Sequence, residues 1–470
     1  MVSADHAAEQ TQTATGQPIG GPISAGPWDA GLVLLYAEDL TGLAPAYPLH
    51  GDVAIIGRVA PAHLVVPHPT ISRMHARIAR TDTGFELRDL GGRNGVIVRG
   101  HRVSETSLEH NDEVRIGDVL FKFVAHGASA YLPYRLDGAV ADGARQVTIA
   151  GAVGGMQMAR LSAEVLNVGP TELAVLVLGE TGTGKELVAR ALHAASGRPG
   201  PFRALNCAAI PQALVESELF GFKKGAFSGA NRDHPGIIRA ANGGTLLLDE
   251  IGDMPLEAQA KLLRTLETRE VVPVGGLKAE HVDVRIVGAT HRDVRSAVEA
   301  GQFRGDLYAR LDGYTISIRP LRERKEDLYA LVRHFLAQSG ETSRALTLRF
   351  MVAVCHYGWP YNVRELASAV KRALSVSEGR ALDASDLPDT VVASMSDYGA
   401  PQPKAEAPAA EPPEADAAKP RYQRPTAAEL EELLRHHRGN VAAVGRALGK
   451  DRGQIHRWMQ MFGINPDAHR

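Results

Sequence analysis

The sequence predicts a multidomain chain with an all-β sandwich, an α/β domain with an α-helical lid, and an all-α helix-turn-helix. In the first part, short apolar or alternating runs lie between turns rich in Gly, Pro, Asn and Asp, which is typical of a sandwich. In the middle, apolar strands alternate with helical patterns, which favours a largely parallel sheet. A helical pattern continues alone over about residues 324–380 and returns near the C-terminus, so we expect a lid and a separate helical domain.

The elements follow in order along the chain. Strands are expected over residues 32–35, 53–56, 85–87, 96–98 and 119–124 of the sandwich, and over 174–178, 245–248 and 284–287 of the α/β domain. Helices are expected over 186–195 and 257–266. The predicted divisions are a disordered leader (1–27), the sandwich (28–126), a linker (127–147), the α/β domain with its lid (148–385), an Ala- and Pro-rich linker (386–422) and the helix-turn-helix (423–470).

Composition excludes several classes of protein. The 470 residues suggest roughly three domains at about 150 residues each. The 52 basic and 54 acidic side chains give a net charge of −2, so any surface for a polyanion has to be local. The apolar runs are far shorter than a bilayer span, and the N-terminus lacks a signal-peptide pattern. The two cysteines cannot form a disulfide framework, and we expect a cytoplasmic protein without a membrane segment.

A glycine-rich loop after the first strand of the α/β domain predicts a phosphate site, because its N–H groups and the following helix can hold phosphates. The residues expected to bind ATP here are Gly179, Glu180, Thr181, Gly182, Thr183, Gly184, Lys185 and Glu186. Lys185 would reach the terminal phosphates. A later apolar strand ends in Asp249 and Glu250, which suit magnesium coordination and orientation of the attacking water. Glu186 stands where the generic loop has a Ser or Thr metal ligand.

The loop with its final glutamate resembles the central domain of the sigma-54-dependent transcriptional activators, bacterial enhancer-binding proteins of the AAA+ class. The resemblance covers about residues 148–385. It is also carried by LNCAA at 205–209, ELFG at 218–221, GAFSGA at 225–230, FR at 303–304, YAR at 308–310 and WPYNVREL at 359–366. It implies ATP and Mg²⁺ as cofactors and sigma-54 RNA polymerase as a partner.

The resemblance implies roles for further polar residues. Asn206 would pair with Glu250 as a switch that senses the γ-phosphate; a turn-capping asparagine is the alternative. Arg304 and Arg310 would be fingers that a neighbouring subunit inserts at the transferring phosphate, where a guanidinium stabilises developing charge. Because such fingers act in trans, the resemblance implies a homo-oligomeric ring, a hexamer. A solvated surface arginine is the alternative for Arg310.

The lid would contribute Arg364, which by resemblance reports the nucleotide state. We expect Asn362 and Glu365 to cap the start of its helix as an N-x-x-E box. A plain helix-surface role is the alternative for Arg364.

A glycine-rich loop with one exposed aromatic side chain resembles the loop that grips sigma-54. Its residues are Gly225, Ala226, Phe227, Ser228, Gly229 and Ala230, with Phe227 as the expected contact. Ser228 replaces the family's Thr, and His291, Gly305 and Tyr361 are further departures from the family pattern. Of these, His291 most puts in doubt the coupling between hydrolysis and movement.

Turns of the sandwich carry residues that suit a phosphate group, and they resemble a forkhead-associated (FHA) domain over about residues 30–125. The residues expected to bind a phosphothreonine peptide are Arg58, Ser72, Arg73 and Asn94. His75 is expected to brace the loop. A degenerate module that only packs on its neighbour is the alternative, partly because Gly92 occupies a position often held by Ser.

The last 50 residues carry nine Lys and Arg against five Asp and Glu, and their apolar spacing predicts three short helices. They are similar to the Fis-like helix-turn-helix domains that end this activator family. The residues expected to reach DNA are Arg452, Gln454, His456 and Arg457, and Asn440 is expected to cap the second helix. A protein-binding three-helix module is the alternative.

Together these patterns predict an ATP-driven activator that binds enhancer DNA and remodels sigma-54 RNA polymerase under control of phosphothreonine signalling. A nucleotide-binding, DNA-bound repressor or scaffold without remodelling activity is the alternative, and the altered Ser228 and His291 are its support.

Overall fold

The computed structural model describes residues 29–140, 148–228, 230–402 and 425–464, apart from 438–439, 442, 445–447 and 449–451. The chain divides into two compact units between Gln402 and Pro403. Among the described residues, no helix combines the length and the apolar character that a membrane crossing needs.

The first part of the chain forms a sandwich of two β-sheets. Its strands are β1 (Gly31–Tyr36), β2 (Ala46–Pro48), β3 (Val53–Gly57), β4 (Leu64–Val65), β5 (Ala76–Thr81), β6 (Gly84–Asp89), β7 (Val96–Val98), β8 (His101–Val103), β9 (Glu105–Leu108), β10 (Glu113–Ile116) and β11 (Val119–Val124). One sheet has the order β2-β1-β11-β10-β7-β8 and the other β4-β3-β5-β6-β9. Ile56 and Ile78 of one sheet share a core with Phe121 and Phe123 of the other, so the predicted all-β sandwich is confirmed.

The α/β domain is built on a parallel sheet with the order β13-β14-β17-β12-β18. These strands are β12 (Val175–Leu178), β13 (Phe202–Asn206), β14 (Thr245–Asp249), β17 (Arg285–Thr290) and β18 (Tyr314–Ser317), while β15 (Glu270–Val271) pairs with β16 (Glu280–His281) in an antiparallel ladder. All neighbouring strands of the larger sheet run parallel, as the sequence predicts. Their carboxyl ends therefore meet at one edge, where ligands bind in such folds.

Helices cover the parallel sheet and build the lid. Those of the α/β domain are α1 (Met156–Val168), α2 (Lys185–Ser196), α3 (Gln212–Phe220), α4 (Ile237–Ala240), α5 (Leu256–Thr268), α6 (Val294–Glu299) and α7 (Gly305–Leu311). Those of the lid are α8 (Leu328–Gln338), α9 (Leu348–His356), α10 (Asn362–Val376) and α11 (Asp389–Ala393). Trp359 is fully buried in the lid, and its indole N–H donates to the Val354 carbonyl oxygen at 2.8 Å.

Parts of both predicted linkers are packed. Ala128–Tyr131 forms a short 3₁₀ helix that joins an apolar cluster with Val33 and Val124 of the sandwich. Tyr398 lies within the segment predicted as the Ala- and Pro-rich linker, yet it packs against the lid core. The physical reason is that each aromatic side chain finds an apolar face to cover.

The second unit contains α12 (Ala427–His436) and α13 (Arg452–Phe462). Thr426 and Glu429 form a reciprocal capping box at the start of α12. Asn440 accepts from the Ala443 N–H at 3.2 Å, in the position predicted for a cap. Leu430, Val444, Ile455 and Trp458 share its apolar core, whereas the predicted Gly449–Asp451 turn lies outside the described residues.

Candidate functional site

The glycine-rich loop lies between β12 and α2, at the carboxyl edge of the parallel sheet. Helix α2 begins at Lys185, so its first N–H groups face the loop. Gly182 has φ of +80°, and a Cβ there would come within 2.1 Å of the Tyr361 carbonyl oxygen. Only glycine fits this position, which brings the loop against the lid.

Lys185 and the two carboxylates at the end of β14 meet beside this loop. The Lys185 Nζ donates to the Gly179 carbonyl oxygen at 3.0 Å and to the Glu250 Oε1 at 3.1 Å. Lys185 is buried, with 8% of its surface exposed. The ammonium is therefore poised at the phosphate loop with partners that an anionic phosphate can replace.

The two carboxylates have opposite electrostatic surroundings. Burial and the charge of Glu250 raise the pKa of Asp249, although Lys185 opposes them. Burial would also raise the pKa of Glu250, but hydrogen bonds from His291 and Lys185 outweigh it and lower that pKa. A cation beside Asp249 would relieve its unfavourable surroundings, so this carboxylate fits magnesium. Glu186 does not complete such a site, because its carboxylate pairs with Arg190 one turn along α2 at 2.6 Å.

The predicted pair between Asn206 and Glu250 is wrong for this structure. The Asn206 Nδ2 donates to the Asp249 Oδ2 at 3.0 Å, and its Oδ1 accepts from the N–H groups of Ala208 and Ala209. The reason is register: β13 and β14 are parallel neighbours in which Asn206 stands opposite Asp249. The amide is thus also the turn cap that the alternative reading expects.

Glu250 is instead held by His291. The His291 Nδ1 lies 2.7 Å from the Glu250 Oε2, and the His291 N–H donates to the same oxygen at 3.3 Å. Strands β14 and β17 are neighbours with Asp249 opposite Ala289, so the residues that follow the two strands come together. The sequence marks His291 as unusual but does not reveal this contact.

A cavity of about 630 Å³ joins these residues to the lid. Its lining includes the loop from Thr181 to Glu186 together with Asn206, Asp249, Glu250, His291, Arg324 and Arg364. Apolar side chains such as Met158, Leu161 and Ile318 line it as well. The cavity combines a phosphate cradle with an apolar wall, which is the form expected of a nucleotide pocket.

The predicted N-x-x-E box at α10 is wrong. Asn362 is the first residue of α10, with φ of +52°, and its side chain points away from the helix. It accepts from the Leu321 N–H at 2.7 Å and donates to Glu180 and to the Thr181 carbonyl oxygen, each at 3.1 Å. Glu365 does reach back, accepting from the Tyr361 N–H at 2.9 Å. Asn362 therefore ties the lid to the phosphate loop instead of capping its own helix.

Glu180 strengthens this connection. The Arg322 guanidinium forms two hydrogen bonds with the Glu180 carboxylate, at 2.6 and 2.8 Å. That contact lowers the pKa of Glu180. The phosphate loop is consequently fastened to the start of the lid by a bidentate ion pair.

The expected arginine fingers do not line this cavity. The Arg304 guanidinium pairs with Asp306 at 2.7 Å and is exposed, and the Arg310 Nη2 donates to the Leu266 carbonyl oxygen at 3.3 Å. Both side chains project from the two ends of the short helix α7.

The second glycine-rich loop presents Phe227 to solvent. Phe227 is 41% exposed, and its ring contacts the edge of Phe222 at 4.9 Å between centroids. The loop closes on itself, because the Gly225 N–H donates to Ala230 and the Ala230 N–H donates to Phe227. Gly229 lies outside the described residues.

The predicted phosphopeptide residues converge at one end of the sandwich. The Arg58 N–H donates to the Ser72 carbonyl oxygen at 3.0 Å, and the Asn94 Nδ2 donates to the Thr70 carbonyl oxygen at 2.7 Å. Arg58, Arg73 and Asn94 are exposed. Arg93, which sequence reasoning missed, belongs to the same surface, because its N–H donates to the Ser72 Oγ at 3.3 Å.

His75 braces these turns, as predicted. It is fully buried; its Nδ1 accepts from the Ser72 N–H at 3.0 Å, and its Nε2 lies 3.1 Å from the Gly95 carbonyl oxygen. A Cβ on Gly92 would come within 2.4 Å of the imidazole.

The predicted DNA-contacting residues lie on α13. His456 and Arg457 are exposed, and the Arg457 Nη2 donates to the Gln454 Oε1 at 2.7 Å. Arg452 is the first residue of this helix. The four predicted residues therefore lie on one helix.

Comparison with known families identifies the modules. A model described as the sigma-54 interaction domain matches residues 153–317, and one described as the AAA+ ATPase lid domain matches residues 322–403. A model of the FHA domain matches residues 54–117. The chain belongs to the sigma-54-dependent activator family. The central domain of this sigma-54 activator is thus an AAA+ ATPase domain, and its sandwich is an FHA domain.

Relatives of the activator are transcription regulators. The transcriptional regulatory protein ZraR of Klebsiella oxytoca is 49% identical over 226 residues, which are 47% of this chain and 51% of that protein. The nitric oxide reductase transcription regulator NorR1 of Cupriavidus necator is 42% identical over 320 residues, 65% of this chain and 62% of that protein. The chain therefore spans between 51% and 62% of the length of these two relatives. NtrX from Brucella abortus, solved in complex with ATP, is 30% identical with a TM-score of 0.49, covering 67% of this chain and 70% of that one.

Sequence reasoning missed two arginines of the activator's nucleotide site. Arg322 and Arg324 lie in a run of alternating charges directly after the Pro320 that follows β18. Such a run usually indicates a solvated face, yet Arg324 is buried and lines the cavity. Their position next to the carboxyl edge of the sheet is the signal that could have revealed them.

Proposed function

We propose that this activator hydrolyses ATP as a homo-oligomeric ring, a hexamer, and uses the movement to remodel sigma-54 RNA polymerase into an open complex. One observation carries the proposal. A single cavity collects Lys185, Asp249 and Glu250 beside the phosphate loop, and the same domain exposes Phe227 on a separate loop. The domain thus has both a place for nucleotide chemistry and a contact that can transmit movement.

The residues of the chain divide the chemistry between them. Lys185 would leave Gly179 and Glu250 to contact the terminal phosphates. Glu250, kept ionised by His291, would orient the attacking water. Asp249 would hold Mg²⁺, whose charge offsets that of the phosphates. Arg364 would contact ATP from the lid.

Arg304 and Arg310 support the proposed ring. Their guanidinium groups do not line the cavity of their own chain, and the partner of Arg304 is the exposed carboxylate of Asp306, which a phosphate could replace. In a ring they would reach the phosphate of a neighbouring subunit and stabilise the charge that develops during transfer.

Phe227→Ala tests the proposed remodelling. We expect activation of a sigma-54 promoter to fall to background, while ATP hydrolysis and DNA binding remain, because Phe227 is exposed and does not line the nucleotide cavity. Open-complex formation on purified template measures the effect. Leu214→Ala is the matched control, because it removes another exposed apolar side chain of the same domain. Unchanged activation by Phe227→Ala would reject Phe227 as the contact, and no activation by the unmodified chain would favour a DNA-bound repressor or scaffold.

We also propose that the FHA domain binds a phosphothreonine peptide through Arg58, Ser72, Arg73 and Asn94. The support is their convergence with the added cation of Arg93. Calorimetry with phosphothreonine and unphosphorylated peptides tests this. Arg58→Ala with Ser72→Ala should remove the preference for phosphate, whereas Arg88→Ala, an exposed arginine on β6, should preserve it. Equal binding of both peptides would reject the assignment.

The second unit would tether the ring to enhancer DNA. Arg452, Gln454, His456 and Arg457 share one helix, and the exposed side chains can contact phosphates or base edges. A map of bound genomic sites with the unmodified chain and with Arg457→Ala would show whether this helix selects the sites.

A further inference from the structure

The FHA domain is joined to the lid of the ATPase domain through a shared apolar core. Leu35, Tyr36 and Leu120 of β1 and β11 belong to the same buried cluster as lid residues such as Leu328 and Phe350. The Tyr36 hydroxyl donates to the Leu346 carbonyl oxygen at 2.9 Å. Strand β11 is therefore buried on both faces, one toward the sandwich core and one toward the lid.

One charged side chain lies within this apolar contact. Lys122 of β11 is fully buried, and its Nζ lies 2.5 Å from the Glu326 Oε2 of the lid. The same ammonium lies 5.0 Å from the centre of the Tyr131 ring and 3.5 Å from the Tyr131 hydroxyl. Among the described residues, the other Glu326 oxygen, Oε1, has no hydrogen-bond partner. Lys122 is thus the main compensation for a buried carboxylate.

Glu326 is followed in sequence by Asp327, a buried carboxylate that pairs with Arg324. Asp327 is fully buried; its Oδ1 accepts from the Gly155 N–H at 2.8 Å, and its Oδ2 lies 3.5 Å from the Arg324 Nη1. Burial raises the pKa of Asp327 and so does the charge of Glu326, whereas Arg324 and Lys122 lower it. The four groups therefore form one electrostatic unit.

Arg324 ends this unit at the nucleotide cavity. Only 3% of Arg324 is exposed; its Nη2 donates to the Thr183 carbonyl oxygen of the phosphate loop at 3.4 Å, and its Nη1 lies 3.0 Å from the Met158 sulfur. Within the described part of the chain, the Arg324 Nε makes no hydrogen bond. Thr183 and Met158 line the cavity with it.

We propose that Lys122, a residue of the FHA domain, is a positioning residue of the nucleotide site. It neutralises Glu326 and so leaves Asp327 to hold Arg324 against the phosphate loop. Without Lys122, an uncompensated carboxylate would lie two positions from Arg324 and draw the guanidinium from the loop. The inference rests on the proposed nucleotide site. It means that the FHA domain, through Lys122, helps to keep Arg324 in position at that site.

The test compares nucleotide affinity in the full chain. Lys122→Gln keeps a hydrogen-bond donor but removes the charge, and we expect the Kd for a fluorescent ADP analogue and the KM for ATP to rise on the order of fivefold, with little change in kcat. The double variant Lys122→Gln with Glu326→Gln restores neutrality and should recover the unmodified affinity. Tyr36→Phe is the control, because it removes an uncharged contact of the same interface.

Several outcomes would overturn the inference. They are an unchanged Kd in folded Lys122→Gln, a double variant as weak as the single one, or an equal loss in Tyr36→Phe. Glu326→Asp provides a second variant if Lys122→Gln does not fold. It shortens the carboxylate side chain that pairs with Lys122, and an unchanged Kd in this variant also counts against the proposal. Because the ADP analogue requires no turnover, a chain that binds nucleotide but fails to hydrolyse ATP would reject the proposed function and still decide this inference.

Discussion

Glycine at position 92 is explained by the imidazole beside it. His75 is held on both ring nitrogens by the turns that carry Ser72 and Gly95, and a Cβ on Gly92 would collide with that ring at 2.4 Å. The sequence suggests that Gly92 marks a degenerate FHA domain, because it carries no information about which side chain fills the space. The structure gives a packing reason for the glycine instead.

Gly92→Ala should therefore weaken the FHA domain. Overlap with a fully buried imidazole forces a shift that costs about 1–3 kcal/mol of the free energy of unfolding, and the displaced His75 should loosen Ser72. Chemical denaturation and phosphopeptide affinity measure the two effects. Gly358→Ala controls for the loss of a glycine, since a Cβ there meets nothing within 4 Å and the φ of Gly358, like that of Gly92, is not in the left-handed region. Equal stability of Gly92→Ala and the unmodified chain would contradict the collision.

Residue roles that depend on local spacing can be predicted from the sequence, whereas partners across strands cannot. The positions of Lys185, Asp249 and Glu250 follow from a loop and a strand end. Which carboxylate Asn206 contacts depends on the register of β13 against β14, and His291 meets Glu250 only because β14 and β17 are neighbours. The motifs do not predict either strand register.

At the scale of elements, hydrogen bonds of one side chain connect the phosphate loop to α10. Asn362 begins α10 in a left-handed backbone conformation and contacts Glu180, Thr181 and Leu321. A capping box is the simpler expectation for an asparagine followed three residues later by a glutamate. The expectation fails because the amide is fully buried against another element, which satisfies it better than its own helix.

Asn362→Ala should raise the KM for ATP and lower the free energy of unfolding by about 2–4 kcal/mol, from unpaired buried groups and from backbone strain. Asn362→Gly loses the same hydrogen bonds, but glycine adopts a positive φ without strain. The Gly variant should therefore be more stable than the Ala variant by about 1 kcal/mol. Thermal unfolding and steady-state kinetics of both variants separate the two causes. Identical stability of the variants would show that strain at this residue is unimportant.

At the scale of the whole molecule, the packing contact between the FHA domain and the lid cannot be predicted from sequence patterns. Each domain follows from its own apolar period and motifs, since those are local. The contact between them depends on one face of β11, where Lys122 alternates with apolar residues like an ordinary solvent-facing strand residue. Its full burial follows only from the lid that covers it.

A second buried carboxylate makes this contact sensitive to pH. Burial opposes ionisation of Glu113, but the His356 hydrogen bond, Lys325 and the Tyr398 hydroxyl outweigh it and lower its pKa. Its contribution to docking is therefore fully present above the usual glutamate pKa and is lost as the pH falls through the lowered value. Glu113→Gln should weaken the docking of the FHA domain on the lid by about 3 kcal/mol at neutral pH.

Hydrogen exchange of β10 and α9, followed from neutral pH down to about pH 2.5, measures that loss because this range extends well below the usual glutamate pKa. The unmodified chain should lose protection at the interface at the acid end, while Glu113→Gln should show little further dependence on pH. Asp118→Asn, which removes the half-buried pair with Arg115 just after β10, is the control. A Glu113→Gln chain with the same acid-induced loss would rule out this carboxylate as the cause.

The last part of the lid domain, after α11, lies along the edge of the FHA sheet. The Arg102 N–H donates to the Ala400 carbonyl oxygen at 2.8 Å and the Gln402 N–H donates to the Arg102 carbonyl oxygen at 3.1 Å, so β8 and this segment share a β-bridge. A fragment of residues 29–126 would lose this bridge and would uncover Leu120 and Lys122. Exchange of the FHA domain between related activators would consequently require the matching lid surface and the segment around Ala400 and Gln402 to be transplanted together.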